Sequence, residues 1–124
     1  MSQDRLALSQ VALLITYATG MAGGQVLFKA AALRYLPDGT VAERAVSLVF
    51  NAYFLGAVAL YVALTVLWVW LLTFIPLSRA YPFVVALAFA ITPLLGGMVF
   101  AEPITAKLLA GIALLLGGLL LIAS

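Results

Sequence analysis

The chain has 124 residues, 67% of them apolar and 8% charged, and its six cationic and four acidic side chains leave a formal net charge of +2. A water-soluble domain carries about a quarter charged residues, so the surface implied here is solvated by lipid. Cysteine and histidine are both absent. This excludes disulfides and the usual soft metal sites, and six dispersed cations make no basic stripe for nucleic acid.

Four long apolar runs follow one another. A spanning helix needs about 20 residues at 1.5 Å each, and the expected helices cover about 6–34, 45–74, 79–101 and 104–123. The runs are about twice the length of a membrane-barrel strand and show no apolar/polar alternation. Residues 1–124 therefore read as a single all-α integral membrane domain of four transmembrane helices.

In the first run, Arg5, the apolar stretch Leu6–Tyr17 and the small residues Ala18 to Ala22 fit a signal peptide, but apolar character continues through Phe28, which favours an uncleaved helix. Gly20 and Gly24 share one helix face and permit either close helix packing or space for a ligand headgroup. The segment Arg34–Arg44 is the sizeable loop, with Leu36-Pro37-Asp38-Gly39 as its turn. Trp68 and Trp70 lie near the far end of the second helix, which Pro76 breaks. Ser78 is the expected N-cap of the third helix, with Pro82 in its first turn and Pro93 mid-span. Glu102-Pro103 opens the fourth, where Gly111 and Gly118, seven apart, share a face suited to a partner helix.

Four packed helices fill their own centre with side chains, so a dimer is expected, with Gly111, Leu114 and Gly118 at its contact. The termini share one side with Arg5 and Arg79; the other carries Lys29, Arg34, Arg44 and Lys107. The positive-inside comparison places the 34–44 loop in the cytoplasm. The margin is small, so an antiparallel dimer with inverted-repeat symmetry stays open.

This layout resembles the small multidrug resistance family of the drug/metabolite transporter superfamily. The likeness is most specific at Ile75-Pro76-Leu77-Ser78-Arg79-Ala80-Tyr81-Pro82 and in the glycine seam from Gly111 to Gly118. Multidrug members carry a glutamate in the middle of the first helix. Met21 stands at that position here, and no acidic residue occurs between Arg5 and Arg34. Gly24-Gln25-Val26-Leu27-Phe28-Lys29, Trp68, Ala80-Tyr81-Pro82 and Glu102-Pro103 instead resemble the small flippase subunits that move aminoarabinose-phosphoundecaprenol. The resemblance implies movement of a polyprenyl-phosphate-linked sugar between leaflets of a bacterial inner membrane. It also implies action as a homodimer or with a related four-helix subunit, without cofactor.

Such a lipid asks for a cation at its phosphate, polar groups at its sugar and an apolar groove for its tail. Lys29 is the first candidate, since a charge within a span costs about 2.5–3.5 kcal/mol and wants a reason to be there; snorkelling to the interface is the bland alternative. Gln25 lies one turn away on the same face and serves either an interhelical hydrogen bond or the sugar. Arg79 is an interfacial anchor or a bidentate phosphate clamp. Glu102 either sits at the positive end of the fourth helix or points into a cavity, pairing with Lys29 or an aminosugar. Tyr17, Trp68 and Tyr81 line a groove or stack on the sugar. A small multidrug or metabolite exporter and a non-transporting scaffold subunit are the competing readings. An enzyme is not expected, because no nucleophile–base pair is recognisable.

Overall fold

The computed structural model describes residues 6–34 and 38–123. Arg5 and the Leu36-Pro37 part of the expected turn lie outside the described residues. The chain is all-helical there: α1 Leu8–Leu33, α2 Val41–Val49, α3 Ala52–Leu72, α4 Leu77–Phe100 and α5 Ala106–Ala123. The helices α1, α3, α4 and α5 are long and apolar enough to cross a membrane. This makes the chain a multi-pass membrane protein.

Hydrocarbon offers no partner to a peptide group, so each span closes its backbone hydrogen bonds within itself. The same demand applies to hydroxyls. Thr16 and Thr19 donate to the carbonyls of Ala12 and Ile15, and Thr65 donates to that of Tyr61, each four residues back. The side chains thus spend their polar capacity locally.

The spans alternate in direction. At one end of the bundle Gln10 Nε2 donates to the Phe74 carbonyl and Arg79 Nη1 to that of Ile122. At the other, Asn51 Nδ2 reaches the Ala31 carbonyl at 3.2 Å. Helix α1 packs against both α3 and α4, and α5 packs on α4. Small residues let the backbones approach: Ala18, Ala22, Ala57 and Ala80 are fully buried. The main core gathers Leu14, Ala18, Leu71, Ile75, Phe83 and Val84 toward the end where α1 begins.

The Gly20–Gly24 face is filled by α3. A Cβ at Gly24 would overlap the Tyr61 ring, and one at Gly20 would meet Leu64 Cδ2 at 3.0 Å. Close packing, rather than room for a headgroup, is what these glycines provide.

Three boundaries differ from expectation. The helix expected over 45–74 is divided at Phe50-Asn51. Asn51 accepts hydrogen bonds from the N–H groups of Tyr53 at 3.0 Å and Phe54 at 3.4 Å, capping α3. An asparagine does this better than it occupies a helix interior. The remaining 21 residues of α3 span about 32 Å, close to the thickness of the hydrocarbon core without tilt. Upstream, Thr40 caps α2 by accepting from Glu43 N at 3.1 Å.

At α4 the N-cap is Pro76, so Ser78 lies in the first turn and both Pro82 and Pro93 fall inside the helix. The helix expected from 104 begins at Ala106, capped by Thr105 Oγ1, which accepts from Leu108 N at 3.1 Å. Glu102 and Pro103 belong to the connection rather than to the first turn of α5.

Gly24→Ala is expected to push α1 off α3 and lower stability by about 1–3 kcal/mol. Gly23→Ala, where an added Cβ meets nothing within 4 Å, is expected to be neutral. Thermal unfolding of the two variants in detergent checks the contrast.

Candidate functional site

The connection between α4 and α5 creates the polar site. Helix α4 ends at Phe100, and Ala101 takes a left-handed conformation at φ 54°. The N–H groups of Ala101 and Glu102 both turn back to the Gly96 carbonyl. This reversal lays the Glu102 side chain over Gly96, where a Cβ would overlap Glu102 Oε1. A carboxylate at the C-terminal end of a helix is held against the helix dipole. Compensation comes from α1: Lys29 Nζ stands 3.5 Å from Glu102 Oε2. Of the two orientations open to Glu102, the structure has the one that pairs it with Lys29. The two side chains are 45% and 47% exposed, so the pair is reachable and its net stabilisation is small.

One turn back on α1, Gln25 Nε2 donates to Tyr61 Oη at 2.8 Å, and Tyr61 Oη donates to the Met21 carbonyl at 2.9 Å. Phe28 stacks on Tyr61 with ring centroids 5.3 Å apart. Lys29, Gln25 and Glu102, together with Thr92, Gly96 and Phe100, surround a small pocket of about 180 Å³. Gln25 and Thr92 also line a larger cleft of about 800 Å³ between α1, α4 and α5, whose remaining walls include Met21, Phe89, Pro93, Lys107 and Ile112.

The other candidates lie elsewhere. Tyr17 packs on Trp68 at 5.0 Å between ring centroids, and Trp68 on Tyr81 at 6.4 Å. Trp68 and Tyr81 border a separate pocket of about 470 Å³ with Leu77, Ser78 and Pro82. Arg79 neither faces this pocket nor lies free for a phosphate: its guanidinium caps the last turn of α5 at Ile122. The seven candidate residues therefore fall into two groups near opposite ends of the bundle. Tyr17 and Lys29 are about 18 Å apart along α1.

Of the expected seam on α5, Gly111 lines the large cleft, Leu114 is 79% exposed, and a Cβ at Gly111 or Gly118 would meet nothing within 4 Å.

Sequence reasoning missed Tyr61, Thr92 and Lys107. Tyr61 had a signal: a hydroxyl in the middle of an apolar span requires a partner, and Gln25 was the available one. Thr92 and Lys107 become visible only when α1, α4 and α5 come together.

No family model matches the chain, and no curated protein and no solved structure matches it.

Two outcomes follow from this geometry. Tyr61→Phe is expected to cost about 0.6 kcal/mol in unfolding stability, the usual size of an interhelical hydrogen bond in a membrane. A double-mutant cycle with Lys29→Met and Glu102→Gln is expected to give a coupling energy below about 1 kcal/mol. Chemical unfolding in mixed micelles measures both.

Proposed function

We propose that the protein is a flippase for a polyprenyl-phosphate-linked sugar, working as a dimer in a bacterial inner membrane. The observation that carries this reading is the junction of two unlike spaces at Gln25 and Thr92. One is an open, largely apolar cleft of about 800 Å³. The other is a polar pocket holding a lysine, a carboxylate and a primary amide. A lipid-linked sugar phosphate has a matching division into a long apolar chain, an anionic neck and a polar head.

In this reading Lys29 is the cation for the phosphate, and Glu102 is the anion that the phosphate replaces. Lys29 has an anionic partner in both conditions, so it does not face the hydrocarbon as a bare charge. Gln25 offers two donors and an acceptor for hydroxyls of the sugar. Tyr61 fixes the Gln25 amide when no sugar is present. The outward face of α5 at Leu114 and Gly118 is the surface for the second copy, since small residues allow close helix approach in lipid.

The test is reconstitution of the purified chain in vesicles containing a fluorescent polyprenyl-phosphate sugar, with transbilayer movement followed by quenching from outside. Protein-dependent movement is expected, with Lys29→Ala abolishing it and Lys29→Arg keeping part. Equal rates in the wild type and Lys29→Ala would remove Lys29 from the mechanism. Movement of organic cations with none of the lipid would replace the reading by a small-molecule exporter. Vesicles that move neither would favour a scaffold subunit.

A further inference from the structure

The large cleft is graded along its length. Because α1 and α4 run parallel and α5 returns antiparallel to both, the order of residues gives their depth. Lys107 lies in the first turn of α5, at the end where α1 and α4 finish; Gln25, Thr92 and Pro93 are the cleft residues of α1 and α4 nearer that end. Met21, Ala88, Phe89, Ile112 and Leu115 lie deeper. Lys107 and Leu115 are eight residues apart on α5, so the cleft descends about 12 Å from the level of Lys107. A space that is polar and cationic at the membrane boundary and apolar below it is shaped for an amphiphile with one head and one chain.

The head has a defined charge. Lys29 is already met by Glu102 at 3.5 Å. Lys107 has no ion-pair or hydrogen-bonding partner for its side chain among the described residues. Its place in the first turn sets it against the helix dipole, so nothing on α5 offsets its charge. It is the cation of the cleft left for a ligand.

We infer that the cleft between α1, α4 and α5 binds a single-chain lipid with a phosphate head, and that Lys107 is the residue that receives the phosphate. This rests on the flippase reading for its biological setting and deepens it. Lys107 acts at capture, and Lys29, held by Glu102, acts only when the head moves inward. The outward position of Leu114 and Gly118, next to the cleft rather than in it, leaves the cleft open when two copies meet along that face.

The experiment uses the full chain in detergent, titrated with farnesyl phosphate, farnesol and inorganic phosphate and read by native mass spectrometry. The wild type is expected to bind farnesyl phosphate more tightly than farnesol. Lys107→Ala is expected to weaken farnesyl phosphate about tenfold, the usual size of a charge-assisted contact, and to leave farnesol unchanged. Lys107→Arg is expected to retain binding. Arg34→Ala removes the same charge from the same end of the molecule but away from the cleft, where Arg34 lies over the Tyr53 ring; it is expected to change nothing.

Equal binding by Lys107→Ala and the wild type would overturn the inference, as would an equal loss in Arg34→Ala, which would mean diffuse surface charge. Displacement of farnesyl phosphate by inorganic phosphate at similar concentration would identify a free-anion site instead of a lipid site. A dimer that excludes farnesyl phosphate would identify a second copy as the occupant. Any of these leaves the vesicle assay to judge the flippase reading separately, and an inactive wild type in that assay leaves the binding result standing.

Discussion

Every backbone polar group in a membrane span has to find its partner inside the protein, and the rest of this structure depends on that constraint. It fixes the helices, since no other local backbone satisfies itself in hydrocarbon. It turns the threonine hydroxyls back onto their own carbonyls. At the site, the groups that leave their own helix reach across to its neighbours. Gln25 reaches Tyr61, which reaches the Met21 carbonyl, and Lys29 reaches Glu102. These sets tie α1 to α3 on one side and to the α4–α5 connection on the other. The polar site is where α1 discharges its obligations to two neighbours.

The cleft is the complement of that arrangement. Helix α1 is clamped to α3 through Gly20 and Gly24, where the glycines admit Leu64 and Tyr61. Its next face is covered by α4. Helix α5 leans on α4 alone among its stronger contacts, and it buries little: 11% of its apolar window, against 28% for α4. A groove between α1 and α5, floored by α4, is the geometric result. Glycine and alanine close the packing where it is tight, at Gly20, Gly24 and the buried alanines.

Much of the fold was legible in the residues because the dominant force acts on long runs. The four spans follow from the positions of Arg34, Asp38, Arg79 and Glu102 between apolar stretches, and from Pro76 and Pro103. Short polar residues defeated the reading at the boundaries. Asn51 looked like one polar residue in a long helix, yet its amide caps α3 and divides that helix. Thr40 with Glu43 is a capping pattern that starts α2 inside the expected loop. The site was legible where its members lie a turn apart, as with Gln25 and Lys29. It was not legible where a reversed connection aims a side chain: the left-handed turn at Ala101 sends Glu102 back over Gly96, and no spacing announces that. Tyr17, Trp68 and Tyr81 carried the right aromatic character but belong to the opposite end of the bundle.

Rigidity is shared unequally among the spans. Helices α1, α3 and α4 form a block closed by buried alanines and by the Tyr61 hydrogen bonds. Helix α5 is joined to that block at one end by the non-helical stretch 101–105 and at the other by the Arg79 guanidinium on the Ile122 carbonyl. Between those two points its outer face, with Leu114 and Leu120, is exposed. Moving α5 would slide it along α4, its one strong partner, whereas separating α1 from α3 would strip Gly24 and Tyr61 of their contacts. The width of the cleft is thus set at the α4–α5 contact and at the 101–105 connection beside Lys107, and not at the glycine seam between α1 and α3.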